Sequence, residues 1–270
     1  MEEKIKKINI INLLTLFLDK KFYYWSNPGN SGDALIAHST YLLFDSLNLN
    51  YEIINDTSLL KNQTILFAGG GNLVEGKYDE MYKEILKSVK NNSCIVLPHT
   101  VLGYPNLLNE TFGNLKILCR ENYSFNNCIS SQANMDNVYL SDDMAFYFPK
   151  YYFSNFEQKG IGTAYCFRTD GESANLFDLP RNNMDISLSW NGSLWSNKHL
   201  AKHVSLSLAG YLSNFETIET DRLHIGILGS ILKKKVKLFA NNYFKNKAVY
   251  ENSLLEQYPH TCFIDINHLH

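Results

Sequence analysis

Apolar residues follow two rhythms along this chain. Short runs such as "KFYYW", "TILFA" (64–68), "CIVLP", "LKILC", "NVYL", "TIET" and "VKLFA" read as buried strands, because a strand of a parallel sheet is covered on both faces and can be apolar throughout. Between them lie segments of helical period. In "ALIAHSTYLLFDSL" Leu35, Ile36, Leu42, Leu43 and Leu47 recur on one side, and in "YDEMYKEILKSVK" Met81, Ile85 and Val89 stand four apart. The same period runs through "SNKHLAKHVSLSLAGYLSN" and "DRLHIGILGSILKK".

Strands alternating with helices predict an α/β fold built on parallel sheets, in which the loop after each strand empties onto one edge, where such sheets bind ligands. That topology would bring "GNSGD", "GGG", "PHT", "CREN" and "SDD" together. The pattern breaks over residues 149–160, "PKYYFSNFEQKG", and a second α/β series follows. A domain boundary near 155 is expected, dividing the chain into 1–155 and 156–270. No low-complexity tract or repeat of solenoid period is present.

The first residues, "KIKKINIINLLTLFLDKK", predict an amphipathic helix whose apolar centre is too short for the roughly 20 residues of a membrane span. Its lysines suit a solvated face and permit at most peripheral docking on an anionic membrane. No small-residue cleavage site follows, so a cytoplasmic protein is expected. Lys plus Arg number 25 against 27 for Asp plus Glu, a net charge of -2, which offers no general field for nucleic acid. An anionic ligand would need a local cluster of cations. The five cysteines, Cys94, Cys119, Cys128, Cys166 and Cys262, show no CxxC spacing and mostly sit in apolar runs, which predicts buried reduced thiols and no metal site.

Three stretches carry candidate chemistry. In "GNSGDALIAH" Asp33 precedes an apolar-periodic run and is expected to cap that helix, with Gly29 and Gly32 supplying either turn geometry or a ligand loop. "GGGN", Gly69, Gly70, Gly71 and Asn72, follows a strand; its backbone N–H groups, with a helix start behind them, could crowd round an anion. In "TIETDRLHIGILGSILKKK" Thr220 or Asp221 is expected as the cap, placing Arg222 and His224 in the first turn of a helix that is apolar nearly all round. Such a helix is buried, so Arg222 and His224 need partners. Either Arg222 pairs with Asp221 and the histidine is hydrogen-bonded internally, or a proton-transferring His224 stands beside a bound phosphate. Arg120 and Arg168 end strands, and their planar forks suit a small polyanion.

Taken in order, "GNSGDALI", "FAGGGNL", "IVLPHT", "ILCRENYS", "SDDMAF", "FRTDGE", "TDRLHIGI" and "FANNYFKNKAVYE" resemble the successive motifs of the polysaccharide pyruvyltransferase family, from about residue 23 to 250. The resemblance implies two Rossmann-like domains facing a cleft, similar to the B-type glycosyltransferase fold, with the glycine loops on the N-terminal, acceptor side and the Arg/His helix on the C-terminal, donor side. It implies transfer of pyruvate from phosphoenolpyruvate to a sugar as a cyclic ketal. By this likeness Arg120, Arg222, Leu223 and Lys245, helped by Arg168, hold the donor, and His224 protonates it. Asp33 or Asp143 would accept the hydroxyl proton, while Asn30, Gly69, Gly70, Gly71, Asn72 and His99 line the site. His99 stands where the family often has Gln, and Phe244 where a Gly commonly precedes the lysine.

On that reading phosphoenolpyruvate is a co-substrate and neither cofactor nor metal is needed. The acceptor would be a lipid- or nucleotide-linked saccharide precursor of a surface polysaccharide, met in the cytoplasm or at the inner face of the membrane. The 17 Tyr and 16 Phe leave aromatic surface for an oligomer contact. A nucleotide-sugar-dependent glycosyltransferase, with Glu219 on a ribose, is the competing reading; a non-catalytic phosphate-sensing or saccharide-binding module is a third.

Overall fold

A computed structural model describes residues 6–175 and 177–265. The chain runs through α1 (Ile10–Leu14), β1 (Phe22–Trp25), β2 (Gly29–Asn30), α2 (Ser31–Ser46), β3 (Tyr51–Ile54), β4 (Thr64–Phe67), β5 (Gly70–Val74), α3 (Glu80–Val89) and β6 (Ser93–Leu102). It continues through α4 (Pro105–Asn109), β7 (Leu115–Cys119), α5 (Asn122–Ser130), β8 (Val138–Leu140) and β9 (Thr163–Tyr165). The remainder is β10 (Asn191–Gly192), α6 (Lys198–Ser213), β11 (Thr217–Thr220), α7 (Leu223–Ile231), β12 (Lys235–Phe239), α8 (Lys245–Val249) and β13 (Thr261–Ile264). Two compact units result: one holds the chain up to Asn27 together with Thr40–Met144, the other Pro28–Ser39 together with the chain from Ala145.

In the first unit the strand order is β3-β1-β4-β6-β7-β8, all parallel, with β5 beside β6. Because β3 and β4 flank β1 on opposite sides, the loops leaving β1 and β4 diverge, the position where a doubly wound sheet opens a crevice. Met81, Ile85 and Val89, the predicted stripe of α3, are buried with Ile65, Phe67, Cys94, Val96 and Ile117 of the strands. Each such side chain contributes on the order of 1.5–3 kcal/mol by leaving water.

Two expectations fail in this unit. The triple glycine does not lead into a helix: Gly70–Val74 pairs along the outer half of β6, so that strand extends through His99 and Thr100, and the next helix begins only at Glu80. A Cβ on Gly69 would lie 2.7 Å from the Pro98 carbonyl oxygen, so the residue allows two backbones to approach. The N-terminal stretch is helical only from Ile10. Ile8 donates its N–H to the Leu140 carbonyl at 2.8 Å and Lys6 accepts from Leu140 at 2.9 Å, which draws the start of the chain along β8; the helix then runs over Ile10–Leu14 and tightens into a 3₁₀ turn over Thr15–Phe17, while residues 4–5 lie outside those described. No helix among the described residues is long and apolar enough to cross a membrane.

The second unit carries the parallel sheet β9-β11-β12-β13 and the antiparallel pair β2–β10. Helix α7 lies close on that sheet because it has glycines where it touches: a Cβ on Gly229 would be 2.7 Å from Ile218 Cδ1. Its Leu223, Ile225, Ile227 and Leu228 are all buried, as an all-round apolar helix requires. The stretch near 150 is more than a connector, since Phe148, Tyr152 and Phe153 pack on one another and the first two on His38. Four of the five free cysteines are buried; Cys262 is exposed, contrary to expectation.

Candidate functional site

Parallel strands of the second unit deliver their polar residues to one sheet edge. Arg168 follows β9, Asp221 and Arg222 follow β11, and Asn241 to Lys245 follow β12. Arg222 is the N-cap residue of α7 rather than a first-turn residue, and its side chain does not cap. Thr220 shapes this turn without capping: its hydroxyl accepts from the Arg222 N–H at 2.9 Å and donates to the Cys166 carbonyl at 2.7 Å.

The cations here are held by carboxylates. Arg222 grips Asp185 through Nε at 2.8 Å and Nη2 at 2.5 Å, and Nη2 also meets Asp170 at 2.8 Å. Arg168 reaches Asp170 through Nε at 2.8 Å and Glu172 through Nη1 at 2.7 Å. Lys245 donates to Glu172 at 2.8 Å, with Nζ 5.0 Å from the centre of the Tyr243 ring. The alternative Asp221–Arg222 pair does not form, for Asp221 accepts instead from the Arg168 backbone N–H at 2.7 Å. Two donors are left over in this tight network. Arg222 Nη1 and Asn241 Nδ2 are buried with no hydrogen-bond partner, an arrangement costly to a protein unless a ligand completes it.

The carboxylates differ in state. Partial burial opposes ionisation of Asp170, but hydrogen bonds from Arg168 and the charges of both arginines hold it down at about 2. Burial dominates at Asp221 and pushes it up to about 6, against the Arg168 N–H and the two guanidinium charges.

Residues 29–38 belong to this unit and meet α7. Asn30, not Asp33, caps α2: its Oδ1 accepts from the Gly32 N–H at 2.8 Å, while Asp33 sits in the first turn. A Cβ on Gly32 would lie 2.6 Å from His224 Nδ1, and one on Gly29 would collide with the Asp33 carboxylate at 2.1 Å. The two glycines make room for the imidazole and for the carboxylate.

The remaining sequence candidates lie at the strand ends of the first unit. Arg120 is buried, with Nη1 on Asp143 at 2.7 Å and Nε on the Thr100 hydroxyl at 2.9 Å. Asp143 is fully buried and acts as a counter-ion, which argues against it as a base. His99 Nδ1 faces the Ala68 carbonyl at 3.2 Å, and Nε2 faces the Asn72 N–H at 3.1 Å and Oδ1 at 2.8 Å. Burial, and then the charge of Arg120, bring this imidazole down to about 3. Asn72 and Gly69 are further tied to Asn27, whose amide donates to the Gly69 carbonyl at 2.8 Å. The glycine run is therefore occupied with internal packing.

The family model for polysaccharide pyruvyl transferase matches residues 30–243. The chain belongs to the polysaccharide pyruvyl transferase family. Among solved structures, a functionally uncharacterised protein from Klebsiella pneumoniae subsp. pneumoniae NTUH-K2044 is 36% identical, over 95% of this chain and 97% of that one, with a TM-score of 0.84. No curated protein matches. The matched span of the pyruvyl transferase family contains Asp170, Glu172 and Asp185, which the sequence reading passed over. A signal existed in "FRTDGE", where two acids, Asp170 and Glu172, lie within four residues of Arg168. Glu219, the acid proposed for a ribose, pairs with Lys237 at 2.8 Å.

Proposed function

We propose that this pyruvyl transferase family member moves the pyruvyl group of phosphoenolpyruvate onto two hydroxyls of a saccharide, forming a cyclic ketal and releasing phosphate. The observation that carries the reading is the pair of buried, unpartnered donors, Arg222 Nη1 from the residue that opens α7 and Asn241 Nδ2 from the loop after β12. A helix start favours a negative charge, and an unpartnered guanidinium nitrogen can supply it a hydrogen bond. The cluster has no surplus positive charge, so the donor is bound by displacing an internal carboxylate. Asp170 is the partner to yield, its side chain 31% exposed against 6% for Asp185.

The enol carbon C2 of the donor becomes electrophilic once C3 takes a proton. His224, second residue of α7, is the acid. A sugar hydroxyl then bonds to C2, the C2–O bond to phosphate breaks, and a second hydroxyl closes the ketal. Two hydroxyl protons are given up: one restores the acid and one leaves on phosphate. Arg222 and Lys245 stabilise the departing group. The acceptor is a lipid- or nucleotide-linked saccharide, and the reaction belongs in the cytoplasm, where phosphoenolpyruvate is made. Phosphorus NMR of the protein with phosphoenolpyruvate and saccharide acceptors tests this: phosphate release by the wild type that is lost in Arg222→Ala and His224→Ala supports it, and turnover of a nucleotide sugar instead refutes it.

A further inference from the structure

Beside the charged network the sheet edge of the second unit holds a shallow pocket, partly open to solvent, lined by Phe167, Phe177 and Phe239 with Ser173, Asn175 and Asp221 at its polar margin. The three aromatic rings meet edge to face, with centroids 4.9, 5.1 and 5.5 Å apart and planes inclined by 84°, 73° and 63°. They form a corner, not two parallel walls, so a flat heterocycle has no slot to enter. A pyranose chair, whose C–H bonds point in several directions, can meet a corner of ring faces while its hydroxyls reach the margin.

We propose that this pocket seats the acceptor pyranose and that Asp221 takes the proton from the hydroxyl that attacks the donor. The assignment rests on the pyruvyl-transfer reading. Asp221 belongs to both places: it lines the pocket, precedes Arg222 in the chain, and is fixed by the Arg168 N–H to Oδ1. Asp33, by contrast, lies against Gly29. In the step, the hydroxyl O–H bond breaks, its proton passes to the Asp221 carboxylate, and the oxygen bonds to C2; the carboxyl then returns that proton to the phosphate oxygen as the C2–O bond to phosphate breaks. The charges facing Asp221 are Arg168 from the end of β9 and Arg222 in its own turn, while Asn246 of α8 bonds its backbone carbonyl at 2.7 Å. A carboxyl held at about 6 by burial is ionised at neutral pH and basic enough to accept the proton.

Two measurements test the proposal. In the first, saturation-transfer NMR with methyl glucoside, galactoside and mannoside detects ring C–H contact with the wild type and its loss in Phe177→Ala, a substitution at a 39% exposed side chain. Absence of sugar contact, or transfer to uridine or adenosine instead, overturns the pocket assignment. In the second, Asp221→Asn, which keeps the acceptor for the Arg168 N–H, lowers phosphate release about 100-fold or more and removes the fall in acceptor kcat/KM below about pH 6, with the KM for phosphoenolpyruvate little changed. An Asn variant that keeps both rate and acidic limb overturns Asp221 as the base. Sugar contact without any phosphate release by the wild type would refute the donor reading and leave the sugar seat standing.

Discussion

The methyl carbon that Gly32 lacks would stand 2.6 Å from Nδ1 of His224. The same carbon would lie 2.9 Å from Oδ1 of Asn30, the cap of α2, so neither neighbour can retreat freely. Gly32→Ala would therefore turn the imidazole away, and a displacement of about 1 Å at a reacting group can cost on the order of 100-fold in rate. We expect kcat to drop by about that factor with the KM for phosphoenolpyruvate nearly unchanged. Single-turnover phosphate release and a thermal melt, the latter to establish that the variant is folded, check this.

Asp170 holds Nη2 of Arg222 at 2.8 Å, and on the proposed reading it must yield that nitrogen to the incoming donor. Asp170→Asn is expected to lower the KM for phosphoenolpyruvate several-fold, whereas Asp185→Asn, which loosens the two-point grip on Nε and Nη2, is expected to lower kcat. Steady-state kinetics at fixed acceptor separate the two. A rise in donor KM for Asp170→Asn would show that this carboxylate helps to hold the donor instead.

Arg120 and Asp143 form an ion pair from which water is excluded. Removing one member strands the other charge, which typically costs about 3–5 kcal/mol, while replacing both by apolar residues of similar volume is far milder. Asp143→Ala should lower the unfolding midpoint in urea sharply, and Arg120→Met with Asp143→Leu should recover most of the loss. Equal destabilisation by the single and double variants would contradict this account.

His99 supplies a pH dependence with a defined sign. Folded, it is held at about 3; unfolded, an imidazole protonates near 6.5. Below that pH the unfolded chain binds a proton that the folded chain refuses. Its contribution is complete above pH 6.5 and is lost toward pH 3, by up to about 1.4 kcal/mol per pH unit. Asp221, raised to about 6, acts in the opposite sense over part of this range, so the informative quantity is a difference. Urea melts of wild type and His99→Gln should diverge as the pH falls below 6.5, the Gln variant being the less acid-sensitive.

Much of this architecture was legible because its signals are local. The apolar runs "TILFA", "LKILC" and "VKLFA" are strands, and the four-residue spacing of Met81, Ile85 and Val89 is the buried face of α3. Burial of α7 followed from apolar residues on every side of it. What escaped depends on distant partners. "GGGN" reads as a loop until β6 lies beside it, and residues 6–8 read as the start of the N-terminal helix until Leu140 pairs with them. An internal pair for Arg222 was one of the alternatives, yet its partner was not legible, because Asp185 is 37 residues from Arg222 and sequence spacing does not reveal a contact at that separation.

The excursion of residues 28–39 into the second unit has a consequence for how the protein can be divided. A fragment starting at Ala145 would have no β2 to pair with β10, no Ser31 hydroxyl to bond the Ser187 carbonyl at 2.8 Å, and no glycine beneath the imidazole of His224. The C-terminal half is thus not an autonomous folding piece: it borrows a dozen residues that are synthesised long before it, and the histidine it contributes finds its seat only when the intact polypeptide closes upon itself.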